Sequence, residues 1–139
     1  MSFLKICFWN ANGINQRKNE ISYFLQKEDI DVMLISETHL TCKYNFNIPG
    51  FVLHKTNHPD GKAHGGTCIL IRNKIRHYCI EEFSKDYLQA TSIRIDCIVG
   101  SLVLSSIWIR FYFTQTTHLL AYRSQKNTRS IRFCSIKKF

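Results

Sequence analysis

A chain of 139 residues, 45% hydrophobic and 21% charged, has the composition of a single globular domain, which argues against wholesale disorder and is short for a two-sheet enzyme. Its formal charge of +9 is unevenly held: residues 1–108 carry 12 Lys+Arg and 10 Asp+Glu, residues 109–139 carry 7 and 0, so any attraction to nucleic acid belongs mainly to the last 31 residues. The six cysteines (Cys7, Cys42, Cys68, Cys79, Cys97, Cys134) include no C-x-x-C pair and follow no signal peptide, which excludes a zinc ribbon or secreted disulfide framework and fits a nuclear or cytoplasmic setting.

Residues 3–9 alternate, with Leu4, Ile6 and Phe8 on one face and Lys5, Cys7 and Trp9 on the other, the period of a strand. Asn10-Ala11-Asn12-Gly13 predicts a turn, and Asn15 is placed to cap a helix that carries Ile21, Phe24 and Leu25 on its inner face. Next comes Val32-Met33-Leu34-Ile35, an unbroken apolar run of the kind that forms a strand buried on both faces, ending abruptly in Ser36-Glu37-Thr38-His39. A right-handed strand-helix-strand crossover would make the two strands parallel and bring Asn10 and Glu37 to one sheet edge. A carboxylate at the end of a core strand needs a cation or hydrogen-bond donors to compensate its burial, which makes Glu37 a candidate metal ligand; the plainer account is a glutamate marking the exit into solvent.

Turn residues fill 41–66 around a short strand, Phe51 to His54, and Gly65-Gly66 leads into a second apolar strand, residues 67–72. Residues 73–84 read as irregular. Tyr87 to Ile98 and Leu102 to Trp108 form a predicted β-hairpin about Val99-Gly100-Ser101. Beyond Trp108 there is no acid, proline or glycine and no clean period, and the apolar-rich run Leu102 to Phe113, broken by Ser105, Ser106 and Arg110, is too short to cross a bilayer. His54 and His58 have i, i+4 spacing, but Pro59 and the turn residues beside it point to loop histidines and not to a metal site on one helix face. Phe3, Phe8 and Trp9 read as core and not as a base-stacking platform.

Five segments, WNANGI (9–14), ISETHL (35–40), KAHGGTCILIRN (62–73), YLQATSIRI (87–95) and LVLSSI (102–107), resemble in order and spacing the amino-terminal half of the endonuclease/exonuclease/phosphatase family, with the nearest likeness to the apurinic-type endonuclease domain of jockey-like non-LTR retrotransposons. The resemblance covers residues 3–108. It implies an α+β fold, a partial and truncated four-layer αββα sandwich with mixed sheets; it breaks where the composition breaks, so residues 109–139 read as an out-of-frame or otherwise unrelated basic tail. It implies that Asn10 orients the active-site carboxylate and phosphate, that Glu37 binds Mg²⁺ or Mn²⁺, and that Asn12 stands where related nucleases often have an aspartate near the metal. Lys62, Arg72 and Lys74 are candidate contacts to DNA phosphates, although Asp60, Glu81, Glu82 and Asp86 make a mixed solvated surface an equal reading.

The partner so implied is DNA, with no membrane and no small-molecule cofactor, and the reverse transcriptase domain of such elements is absent from this chain. The family also needs a Tyr, an Asp-x-Asn and an Asp-His pair from its second half, and none is found here; no acid follows Asp96. The resulting expectation is an inactive remnant whose first sheet lacks a partner sheet. A non-catalytic nucleic-acid-binding remnant and a small-molecule phosphoesterase of the same superfamily are the alternatives.

Overall fold

The computed structural model describes residues 4–98 and 100–110, and the backbone of 116–124 and 131–135. In chain order the elements are β1 (Leu4–Asn10), a 3₁₀ turn (Asn15–Arg17), α1 (Lys18–Lys27), β2 (Val32–Ser36), β3 (Phe51–Thr56), β4 (Thr67–Arg72), β5 (His77–Cys79), β6 (Phe83–Lys85), β7 (Leu88–Cys97), β8 (Gly100–Ile109), β9 (Thr116–Ser124) and β10 (Ile131–Ser135). They form a mixed sheet of order β10-β1-β2-β4-β3 and an antiparallel sheet of order β5-β7-β8-β9, with β6 also paired to β7. The fold is α+β.

The first sheet grows from the apolar run 32–35. All five residues of β2 are buried, because the strand has β1 parallel on one side, β4 antiparallel on the other, and a covering layer on each face. On one face Cys7, Trp9, Met33, Ile35 and Leu70 meet Ile21 and Leu25 of α1. On the other, Ile6, Val32, Leu34, Ile69 and Ile71 meet Ile93 and Ile95 of β7 and Leu102 and Leu104 of β8. Each fully buried Ile or Leu contributes roughly 1.5–3 kcal/mol, so this second layer is a substantial core.

Several expectations are thereby corrected. The inner face of the first sheet is not left without a partner: alternation along the predicted hairpin puts Ile93, Ile95, Leu102 and Leu104 on one side, and that side covers it. The helix caps differ as well. Asn15 falls inside the 3₁₀ turn, and neither that turn nor α1 has a side-chain cap; Glu20 in the first turn and Lys27 in the last complement the helix dipole instead. Residues 73–84 are not wholly irregular, since β5 and β6, three residues each, pair with β7. After Trp108, where no period is visible, β9 pairs antiparallel with β8 and β10 parallel with β1. The base-stacking question resolves toward core for Trp9, which is buried, and for Phe8, which packs partly buried against the inter-sheet cluster; Phe3 lies outside the described residues.

His54 is a strand residue of β3, and its Nε2 lies 2.8 Å from Nε2 of His77 in β5. His77 Nδ1 sits 2.7 Å from the Ile75 carbonyl and donates to it, so when both rings are neutral His77 Nε2 accepts the hydrogen bond and His54 Nε2 donates it. Partial burial, and then the neighbouring His77, lower the His54 pKa from its ordinary value. A histidine with a depressed folded-state pKa binds fewer protons than the unfolded chain, so stability rises with pH up to the unfolded value of about 6.5 and is lost as pH falls below it. Melting temperatures measured from pH 7.5 to 5 should fall on acidification, with a shallower slope in His54→Gln. In the inter-sheet core, Leu104→Ala should cost about 2–5 kcal/mol in urea denaturation.

Candidate functional site

Parallel register pairs Asn10 with Ser36, so the chain leaves β1 and β2 at one edge of the sheet and Glu37 follows directly beside Asn10 in the fold. Past that edge the backbone remains bonded on both sides. Ala11, Gly13 and Ile14 N–H groups donate to the carbonyls of Ser36, Glu37 and Thr38 at 3.0, 2.8 and 3.1 Å. On the opposite side Thr38 and His39 N–H groups donate to the Gly66 and Gly65 carbonyls at 3.2 and 3.0 Å. Glu37 and His39 hold left-handed φ angles of 53° and 54°, and Asn12 one of 46°. Non-glycine residues in that region are uncommon and persist where the surroundings over-determine them.

Glu37 is 6% exposed, and its Oε1 has no hydrogen-bond partner among the described residues. Asn57 Oδ1 and Trp108 Nε1 share that condition, and both residues border the Gly65–Gly66 turn: a Cβ on Gly66 would come within 3.8 Å of Asn57 Cα, and one on Gly65 within 3.4 Å of the Trp108 ring. Buried polar atoms left unmatched are costly, so their gathering at one edge marks a place suited to a polar ligand.

The contact between the two sheets changes character along the strands. Away from Glu37 it is aliphatic; toward Glu37 it becomes a hydroxyl and amide network. Thr91 Oγ1 lies 2.8 Å from Thr67 Oγ1 and 2.9 Å from Thr56 Oγ1, Thr56 Oγ1 donates to the Ala90 carbonyl at 3.1 Å, and Ser106 Oγ donates to the Ile35 carbonyl at 2.8 Å. Gln89, fully buried, accepts from the Gly66 N–H at 3.0 Å and donates to the Lys85 carbonyl. These groups fix the second sheet to the Glu37 edge. Sequence reading did not single them out, although the signal was present: on one face of the hairpin Ile95 and Ile93 give way to Thr91 and Gln89, and Leu102 and Leu104 to Ser106.

A family model described as Endonuclease/Exonuclease/phosphatase family matches residues 7–130. The chain belongs to that family. It is 30% identical over 106 residues to the RNA-directed DNA polymerase from mobile element jockey of Drosophila melanogaster, covering 76% of this chain and 12% of that protein. It is 31% identical over 115 residues to the probable RNA-directed DNA polymerase from transposon X-element of the same organism, covering 82% and 13%. The chain therefore spans about an eighth of the length of these relatives. Among solved structures it is similar to an AP endonuclease from Leishmania major, with a TM-score of 0.56 over 70% of this chain and 38% of that one, at 15% identity, a likeness in fold.

Within this family frame the remaining candidates separate by position. Asn10 and Asn12 are exposed at the Glu37 edge, and Lys62 is exposed in the loop that ends in Gly65–Gly66. Arg72 sits at the other end of the sheet, where its guanidinium pairs with Asp29 at 2.6 Å and Asp31 at 3.2 Å and lies over the Phe51 ring; Lys74 follows it. The structure thus brings Asn10, Asn12, Glu37 and Lys62 to one side and leaves Arg72 and Lys74 on another. No helix among the described residues is long and apolar enough to cross a membrane.

Gly66 has a φ of +80°, and a Cβ there would meet Thr38 Oγ1 at 2.8 Å and the Thr56 carbonyl at 3.3 Å. Gly66→Ala should therefore destabilise the protein by about 1–3 kcal/mol, read from urea denaturation.

Proposed function

We propose that this chain carries the metal-ligating part of a retrotransposon-type DNA endonuclease site and does not turn over. The observation that supports this most is the buried Glu37 carboxylate, with Oε1 unmatched among the described residues, beside Asn10 at the end of a core strand. A hard oxygen donor of this kind fits Mg²⁺ or Mn²⁺, which binds through one or two carboxylates and keeps several waters. When bound, such an ion supplies polarisation of a phosphoryl oxygen and charge for the leaving oxyanion. Glu37 would hold it, Asn12 would lie near it, and the Asn10 amide would orient the carboxylate and a phosphate through its donor and acceptor groups.

The reading of inactivity rests on subtraction. No acid follows Asp96, so the chain offers no later carboxylate as general base or second ligand. Positioned acid-base groups contribute roughly 10²–10⁴ in rate, and preorganised charge stabilisation contributes at least comparably. The three layers seen here, α1, first sheet, second sheet, correspond in this proposal to part of a four-layer αββα sandwich whose second helical layer is not among the described residues. DNA is the proposed partner. The seven basic residues and no acids of 109–139 favour a second reading, non-catalytic retention of nucleic acid through phosphate contacts.

The test is conversion of supercoiled plasmid to nicked circles in Mg²⁺. No conversion above background is expected, together with weak Mg²⁺ binding in calorimetry that weakens further in Glu37→Gln and DNA retention that falls steeply with salt. Mg²⁺-dependent nicking that disappears in Glu37→Ala would overturn the inactive reading. Tight Mg²⁺ binding indifferent to Glu37→Gln would remove the site altogether.

A further inference from the structure

Between β3 and β4 the loop 57–66 folds three metal-competent side chains onto one another. His58 Nδ1 lies 2.9 Å from Asp60 Oδ1, His64 Nε2 lies 2.6 Å from Asp60 Oδ2, and the two imidazole rings overlie each other with centroids 3.9 Å apart. All three donor atoms lie within 4.8 Å of one another. The spacing H-x-D-x₃-H places the whole set in one short loop, so bringing the donors together closes only a few residues. His58 is buried, while Asp60 and His64 are partly open to solvent.

The tautomer of His58 carries the argument. Its Nε2 is 3.3 Å from the Asp86 carbonyl, which can only accept, so Nε2 bears the proton. In the neutral ring Nδ1 then presents a lone pair, and the Asp60 N–H at 3.3 Å is placed to donate to it. Nδ1 also lies 2.9 Å from a carboxylate oxygen of Asp60, an approach that needs a positive charge between the two, carried either by a proton on Nδ1 or by a bound cation. An imidazole bound through one nitrogen, with its other N–H given to a backbone carbonyl, is the usual posture of a metal-ligating histidine.

We propose that His58 Nδ1, Asp60 and His64 Nε2 form a site for a borderline divalent cation of the Zn²⁺ class, separate from Glu37 and independent of the nuclease reading. Two imidazoles and a carboxylate are a donor set for such an ion, leaving one position for water. Bonds of about 2.0–2.2 Å set neighbouring donors ~3.3 Å apart, so the His58–Asp60 pair at 2.9 Å and the Asp60–His64 pair at 2.6 Å would open by less than about 1 Å to admit the ion. Asp60 is held ready as a carboxylate. Desolvation works to raise its pKa but is outweighed by the Lys62 backbone N–H, which donates at 2.8 Å to Oδ1, and by His64 and His58, so the group stays well below the usual carboxylate range.

The position gives the ion a structural task. Gly65 and Gly66, which end this loop, accept the His39 and Thr38 N–H groups, and a Cβ on Gly65 would stand 3.3 Å from the His58 ring. A cation at 58, 60 and 64 would therefore pin the turn that brackets the Glu37 segment.

Co²⁺ and Zn²⁺ titrations of the purified chain test this. Co²⁺ should bind with one equivalent and give visible ligand-field bands without sulfur-to-cobalt charge transfer. Zn²⁺ should displace it and raise the melting temperature. Affinity should drop at least about tenfold in His64→Ala and in Asp60→Asn, each checked for folding by circular dichroism. Because a variant may fail to fold, long-range ¹⁵N spectra of the wild-type imidazoles supply a separate readout, with Zn²⁺ expected to shift His58 Nδ1 and His64 Nε2. Thiolate charge-transfer bands, affinity unchanged in both variants, or imidazole nitrogens that respond to pH but not to Zn²⁺ would overturn the proposal, the last by showing an imidazolium–carboxylate pair alone.

Discussion

The double-sided bonding of Ser36–His39 is the constraint on which the rest of this structure depends. A strand that ended at Ser36 with an ordinary exit would let Glu37 swing into water. Instead, three N–H groups from the loop after β1 and two carbonyls from the Gly65–Gly66 turn hold the segment as a central strand beyond the sheet. That pairing keeps Glu37 buried and left-handed, and it ties three stretches distant in sequence to one place. Gln89 joins a fourth by accepting the Gly66 N–H, and Ser106 a fifth by donating to Ile35.

The two halves of the sheet-to-sheet contact divide stability from placement. The aliphatic half is non-directional and tolerates small shifts, whereas the hydroxyl and amide half is directional, each bond requiring a donor to face an acceptor. Such a network fixes the register of β7 and β8 against β2 and β4 at the edge where position matters. Arg72 performs a comparable function at the far end of the sheet, bridging Asp29 and Asp31 at the entry to β2, so the strand is anchored at both ends.

Much of this was legible from residue order. The run Val32–Ile35, the alternation of residues 3–9 and the strand at 67–72 each carry a strong period, and the sheet follows from pairing them; β4 has the bounds the pattern gives. Asn10 and Glu37 at one edge follow from topology. The family likeness was read over residues 3–108, and the matched stretch runs through residue 130. What escaped has local causes. β5 and β6 are three residues long, too short for a period, and form only because β7 offers an edge. β9 and β10 lie in a stretch whose sequence shows no alternation, so their pairing is set by neighbours and not by pattern. The first sheet was expected to stand uncovered because the second half of the sandwich is missing from the sequence, whereas the predicted hairpin itself supplies the cover through Ile93, Ile95, Leu102 and Leu104. His58, judged as half of an i, i+4 pair with His54, instead keeps company with Asp60 and His64, which no helical period connects.

The left-handed backbone at Glu37 bears on how such a chain decays over generations. Glycine is one nucleotide change from glutamate, adopts φ near +53° without penalty, and would take away a buried carboxylate with an unmatched oxygen. Replacing Glu37 by glycine would then relieve both backbone and desolvation strain, so the variant would fold at least as well as the present chain. Selection for solubility alone would not preserve Glu37. Under the metal-ligating role proposed above, the cost of holding this side chain at a φ of 53° would be offset by function and not by stability.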